Sequence, residues 1–234
     1  MSTLRGGQSE VLDAIERIAA FMKRHAPDRM LPTQLLAVRK YLRSKRRGAN
    51  LEAVWSWTDE EIEIQKNLEP TKSLYEEAAK VQANFRKANP DYHLILSPVR
   101  SLERQIRLWG KNTTVGKAGA KLLVDMKSAL SEDDYPAKPD DGESVWIFSE
   151  ALRTQAVAPE PTSAAPGTSD HGRGKAVDFV VMKGAAIVAP IRSSAVHSIW
   201  KKDGWEDKLI AACAGTKLVG PLKHPYESSH WWLK

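Results

Sequence analysis

Two short stretches of this chain gather residue types that can hold a metal ion and move a proton. The first is Ser169-Asp170-His171-Gly172-Arg173-Gly174-Lys175-Ala176-Val177-Asp178. The second is Glu227-Ser228-Ser229-His230-Trp231-Trp232. Asp178 sits among Val177, Phe179, Val180 and Val181. A carboxylate inside an apolar strand is unfavourable unless it is paired or binds a cation. Gly172 and Gly174 allow a tight turn that brings His171 beside Asp178. His230 can supply a third ligand from a neighbouring strand. Two imidazoles and one carboxylate match a catalytic zinc set with one coordination position open. Glu227 stands three residues before His230. It can take a proton from a water there and return it to a leaving amine without being a ligand itself.

Cys213 is the single cysteine, so no disulfide forms within the chain and no cysteine cluster holds a metal. Any metal must be bound by His, Asp or Glu, and six histidines are present. His25 reads as a structural residue near a helix end. His93 lies in a strand near Arg100 and could reach a cleft. His197 and His224 have no ligand spacing. Cys213 ends an apolar helical run and reads as buried and inert. Asp133 and Asp134 read as solvated loop residues. Trp231 and Trp232 are either core or the wall of a substrate groove.

The pattern Ser169-x-His171-x-x-Gly174-x-Ala176-x-Asp178, followed by Glu227-x-x-His230-x-Trp232, resembles the D-alanyl-D-alanine carboxypeptidase and dipeptidase family. That family includes VanY-like and VanX-like peptidases and several phage endolysins, and its members are zinc peptidases of bacterial peptidoglycan. The resemblance implies Zn2+ held by His171, Asp178 and His230, with Glu227 as catalytic base. It also implies the small sheet fold shared with the hedgehog signalling domain. The segment Ser97-Pro98-Val99-Arg100-Ser101-Leu102-Glu103-Arg104-Gln105 resembles the family's S-G-Y-R-S-x-x-x-Q segment, so Arg100 matches its active-site arginine. A guanidinium there can bind a scissile carbonyl oxygen as it gains charge or a substrate carboxylate, or make only a salt bridge. Gln105 then serves helix packing or substrate contact, and Ser169 a turn. Pro98 and Val99 replace the usual Gly and Tyr, and Ser228 and Ser229 stand where Pro-Trp is common. These departures leave substrate choice open but remove neither a ligand nor the base. The resemblance covers residues 85–234 and explains nothing before them.

Hydrophobic periodicity supplies the elements that must position these residues. Apolar spacing predicts a helix from Ser9 to about Lys23, a second opened by Pro32 and broken by Gly48, and a third over Thr71 to Ala88. Leu74, Ala78, Val81 and Phe85 form one face of the third. Thr58 with Glu61 reads as a capping box for a short helix between the second and third. Tyr92–Leu96 reads as a strand and Ser101–Trp109 as a helix. Residues 131–143 read as an acidic surface loop and 156–170 as a long loop. Ala176–Met182, Ala186–Val188, Lys217–Val219 and Ser229–Leu233 read as strands, and Trp205–Cys213 as a helix. The expectation is an α+β fold: a small, mainly antiparallel sheet with flanking helices, preceded by a helical region. The division expected is a helical basic region of unknown role, 1–85, and a zinc metallopeptidase domain, 86–234.

The chain has 234 residues, 42% hydrophobic, with a formal net charge of +6. That length buries a sizeable core unaided, and no run is apolar enough to span a membrane. Residues 1–50 hold 11 basic and 4 acidic residues, net +7, with Arg39, Lys40, Arg43, Lys45, Arg46 and Arg47 close together. Such a cluster is either a solvated helix face or a surface for an anionic partner, such as an envelope polymer. No zinc-finger or phosphate-loop pattern accompanies it, and nucleic-acid binding accounts for neither Asp178 nor His230. Met1–Gly7 lacks the apolar core of a signal peptide, so cytoplasmic synthesis is expected. Peptidoglycan hydrolysis would then follow release through a holin or injection, placing the action in the periplasm or cell wall. The cleaved bond, endopeptidase or carboxypeptidase, stays open, and a monomer is expected. A non-catalytic, metal-containing envelope-binding module is the alternative.

Overall fold

A computed structural model describes residues 30–46, 48, 50–51, 55–97, 99–131, 142–161, 163–191, 194–223 and 226–234. Contacts divide the chain into two compact units, each made from two chain segments. One joins residues up to Trp55 with Leu102–Thr168, and the other joins Ser56–Ser101 with Ser169–Lys234. This partition differs from a single division at residue 85. The expected helix from Ser9, His25, Pro98 and His224 lie outside the described residues. Among the described residues no helix is long and apolar enough to cross a membrane.

The second unit is α+β. It begins with α2 (Asp59–Gln65), whose capping box is formed as expected: the Glu61 N–H donates to Thr58 Oγ1, and the Thr58 N–H to Glu61 Oε2. Helix α3 (Thr71–Ala88) presents Leu74, Ala78, Val81 and Phe85, all fully buried. This stripe packs in one core with Val177, Phe179, Val181, Trp200, Trp205, Leu209 and Trp231. Burial of each large apolar side chain stabilises the unit by about 1.5–3 kcal/mol. The sheet contains β1 (His93–Leu96), β2 (Ala176–Lys183), β3 (Ala186–Ala189), β4 (Leu218–Val219) and β7 (His230–Leu233). A separate hairpin pairs β5 (Leu222–Lys223) with β6 (Tyr226–Glu227), and α7 spans Trp205–Cys213. Every pairing is antiparallel, and the main order is β1-β2-β7-β4 with β3 also on β2. Strand β2 is central and buried from Ala176 to Val181, which explains its nearly continuous apolar run. A π-helical turn, Val196–Lys201, and the β5–β6 hairpin were not anticipated.

The first unit is helical: α1 (Met30–Arg46), α4 (Leu102–Lys111), α5 (Thr113–Ser131) and α6 (Gly142–Thr154). Its core includes Leu36, Tyr41, Ile106, Trp109, Leu122 and Leu152. Hydrophobic periodicity predicts neither α5 nor α6. The core-facing stripe of α5 is Val115, Ala118, Leu122 and Met126, at helical spacing but diluted by small residues. Gly119 explains one of them: a Cβ there would lie 2.4 Å from the Pro32 carbonyl oxygen. Asn112 caps the helix, its Oδ1 accepting the Thr114 N–H at 2.9 Å. Of the loop expected at 131–143, Ser131 ends α5, Gly142 and Glu143 begin α6, and the residues between lie outside those described. The loop expected at 156–170 is present and is fastened to α1. Arg39 donates to the Gln155 carbonyl and Glu160, Lys40 to the Pro161 and Ser163 carbonyls, and Arg43 to Glu160. Part of the basic cluster is therefore engaged inside its own unit.

Candidate metal centre

The centre lies within the α+β unit and begins with a pinned turn. Asp170–Arg173 forms one 3-10 turn that carries buried His171, closed by an Arg173–Asp170 ion pair. Gly174 ends it at φ +58°, a left-handed conformation that strongly favours glycine. A Cβ at Gly174 would also lie 2.7 Å from the Thr71 side chain. The Trp57 N–H donates to the Gly172 carbonyl at 2.7 Å, and Ser56 Oγ–H to the Ser169 carbonyl. The chain entering α2 thus holds the His171 turn against its own unit.

Asp178 and His230 are direct cross-strand partners on β2 and β7. Such pairs place their Cβ atoms about 4.5–5.5 Å apart. Backbone bonds on both edges fix Asp178, from the Ser97 N–H to its carbonyl and from the Phe179 N–H to the Ser229 carbonyl. The resulting separations are short. His171 Nε2 lies 3.0 Å from His230 Nδ1 and 3.3 Å from Asp178 Oδ2. His230 Nδ1 lies 3.5 Å from Asp178 Oδ1. A tetrahedral ion with ligand bonds of about 2.0–2.1 Å has edges of about 3.3 Å. The His171–His230 and His171–Asp178 Oδ2 separations lie near that edge, while His230 approaches the other Asp178 oxygen. One ligand atom from each of the three lies within 4.8 Å of the others, and all three residues are buried. Asp178 is 1% exposed, and its Oδ1 accepts no hydrogen bond from the described residues. A buried carboxylate oxygen left without a donor costs about 1–3 kcal/mol. A divalent cation would satisfy it, so the donor set fits such an ion.

The electrostatics agree with that fit. Burial pushes the His171 imidazole down to about 4, with Arg100 and His230 acting in the same sense against Asp178. The ring is therefore neutral at pH 7 with a lone pair available. Burial alone would raise the Asp178 carboxyl, but His230, His171 and Arg100 together hold it below the usual carboxylate range. Asp178 is thus an anion at neutral pH.

Two further expected residues are brought to this cluster. Glu227 Oε2 lies 3.7 Å from His230 Nδ1. Burial, and then the charge of Asp178, push its carboxyl above the usual range, the direction that suits a group that takes up and returns a proton. Arg100 Nη2 donates to Asp178 Oδ2 at 3.2 Å, so the guanidinium is tied to one of the metal-ligating candidates. Arg100, Asp178 and Glu227 sum to a formal charge of −1, which favours a cation.

The remaining candidates lie elsewhere. His93 pairs with Met182, four residues along β2 from Asp178, and His197 is exposed on the π-helical turn. Gln105 belongs to the helical unit, where its Oε1 accepts the Gly167 N–H at 3.0 Å. Trp231 is core, whereas Trp232 is partly exposed with its ring 6.3 Å from that of His230. Cys213 is buried, and burial pushes its thiol up to about 12. Sequence reasoning missed Glu206, which accepts hydrogen bonds from Tyr226 and Ser228 on either side of Glu227. Its position in the first turn of α7 gave no signal beyond an ordinary helix-end acid. The structure thus brings His171, Asp178 and His230 into one buried cluster able to coordinate a metal ion, as a metal-dependent enzyme requires, with the half-buried Glu227 and Arg100 beside it. No family model, curated protein or solved structure matches this chain.

Proposed function

We propose that this chain is a zinc-dependent peptidase of bacterial peptidoglycan stem peptides, related to the D-alanyl-D-alanine carboxypeptidase and dipeptidase family. The observation that carries the reading is the convergence of His171, Asp178 and His230 around one point, with Glu227 beside His230. The order and spacing of these residues along the chain support the family relation. So does the placement of Asp178 and His230 on neighbouring antiparallel strands. Zinc bound there would supply a Lewis acid that polarises a carbonyl and makes a water easier to deprotonate.

The chain's own residues supply the rest. His171 and His230 donate ring nitrogens, and Asp178 supplies an anionic oxygen. The raised Glu227 carboxyl takes a proton from the attacking water at a carboxylate oxygen, then gives it to the departing amine. Arg100 holds Asp178 in place through Nη2 and puts positive charge beside the scissile carbonyl as it becomes anionic. An open groove of about 760 Å3 in the same unit is bordered by Ile62, Lys66, Tyr75, Glu76 and Val99. None of the five cluster residues lines that groove, and the choice between endopeptidase and carboxypeptidase action stays open. The site of action would be the periplasm or cell wall, reached by holin-dependent release or injection, with residues 1–85 contacting anionic envelope polymers.

Mass spectrometry of muropeptides digested by zinc-loaded protein tests this reading. Cleaved stem peptides, with the bond identified, are expected, and Glu227→Ala should yield none while keeping its zinc. Intact muropeptides from the zinc-loaded wild type would overturn the proposal and leave a metal-binding module.

A further inference from the structure

Glu206 is a buried carboxylate, 9% exposed, that belongs to helix α7 and not to the His171–Asp178–His230 cluster. Its two oxygens are engaged by two hydroxyls: Tyr226 Oη–H donates to Oε1 at 2.9 Å, and Ser228 Oγ–H donates to Oε2. These donors flank Glu227. Side chains alternate between faces along an extended strand. The contacts turn Tyr226 and Ser228 towards α7 and Glu227 the other way, towards His230 Nδ1.

The segment needs such a hold. Strand β6 is two residues long and, among the described residues, pairs with the two residues of β5. A hairpin of that size is not stable by itself. The Trp231 Nε1–H bond to the Ser228 carbonyl, at 3.1 Å, anchors one end of the turn, and Lys201 Nζ lies 4.1 Å from the centre of the Tyr226 ring. Hydrogen bonds to a carboxylate are about twice as strong as neutral ones.

We infer that Glu206 is a positioning residue: through Tyr226 and Ser228 it fixes the backbone on both sides of Glu227 and so aims that carboxylate at the cluster. The inference rests on Glu227 acting as the proton-transferring group.

The test uses the full chain, zinc-loaded, with Glu206→Leu, Glu206→Gln and the pair Tyr226→Phe with Ser228→Ala. Glu206→Leu should lower kcat on stem peptides about 10- to 100-fold, as a misplacement of about 1 Å does, with KM and zinc content unchanged. Glu206→Gln keeps one acceptor oxygen and should recover most of that loss. Adding Glu206→Leu to the hydroxyl pair variant should cause no further loss, because both act through the same contacts. Independently of activity, amide hydrogen exchange at residues 226–229 should quicken about tenfold in Glu206→Leu while β2 stays protected. Unchanged exchange at 226–229, or additive losses in the combined variant, would overturn the inference. A wild type that cleaves nothing would sink the peptidase reading, and the exchange measurement would still decide whether Glu206 holds the segment. Should Glu206→Leu fail to fold, the single variants Tyr226→Phe and Ser228→Ala carry the same exchange test.

Discussion

In the helical unit Arg39 is 3% exposed, and in the α+β unit Asp178 is 1% exposed. The two buried charges are handled differently. Arg39 Nε donates to the Gln155 carbonyl at 2.8 Å and Nη1 to Glu160 at 2.9 Å, and Lys40 beside it takes two more carbonyls of the same loop. Each of these donors meets an acceptor, so the network is closed and fastens a loop to a helix. Around Asp178 potential metal-ligating atoms converge instead, with His171 Nε2 and His230 Nδ1 within hydrogen-bond distance of each other. Two imidazole nitrogens and a carboxylate oxygen without a hydrogen-bond donor lie within 3.5 Å of a neighbour in the set. A closed buried network holds a fold together, whereas a buried cluster of ligand atoms that includes a carboxylate oxygen without a donor is one a cation can complete.

The contrast can be broken most strongly at Glu227. Glu227→Ala should reduce turnover of muropeptides by about a thousandfold or more, the range for losing a positioned acid–base group. Zinc content should not change, because Glu227 is not in the ligand set. Parallel loss of zinc would move Glu227 from proton transfer to coordination. Next, metal should stabilise only the open cluster. At free zinc about 1,000 times the dissociation constant, the gain is about 4 kcal/mol, read as a rise in Tm over chelator-treated protein. Asp178→Ala should abolish that rise and Arg39→Met should retain it. A zinc-dependent rise persisting in Asp178→Ala would show that the ion sits elsewhere.

Acid should weaken the metal-free fold through the same cluster. The folded protein holds His171 at about 4, below the ordinary 6.5, so the unfolded chain binds that proton more readily. Stability from neutral His171 is fully present above pH 6.5 and is lost as pH falls towards 4, by up to about 3 kcal/mol. The depressed Asp178 carboxyl extends the loss below its ordinary 3.8, and the raised Glu227 carboxyl offsets part of it. Urea unfolding of chelator-treated protein between pH 7 and 4 measures the slope. A flat profile would contradict a buried neutral imidazole. The smallest effect is expected in the closed network. Arg39→Met should cost about 1–3 kcal/mol, since carbonyl acceptors lose their donor, while metal affinity is unaltered. A matching fall in zinc affinity would erase the distinction between the two regions.

Much of this was legible in the sequence where one signal dominated. The stripe from Leu74 to Phe85 and the single aspartate in an apolar strand each had one economical explanation, and both took their expected places. The mixed fold with a small antiparallel sheet and flanking helices followed from the same patterns. Helix α5 was illegible because its buried face uses Ala118 and a glycine that lets α1 approach, which weakens hydrophobic periodicity. Composition left the basic cluster unresolved: charge counting cannot tell a solvated arginine from Arg39, whose partners lie more than 110 residues away. Glu206 was hidden for the same reason. A first-turn glutamate suits any helix, and its meaning appears only when Tyr226 and Ser228 are folded against it.

The most direct test of the central claim is elemental analysis of purified protein after zinc loading and exhaustive dialysis. One zinc per chain is expected in the wild type and in Glu227→Ala, and close to none in His230→Ala or Asp178→Ala. Wild-type protein without stoichiometric metal, or ligand variants that keep it, would contradict the assignment of His171, Asp178 and His230 as a metal site.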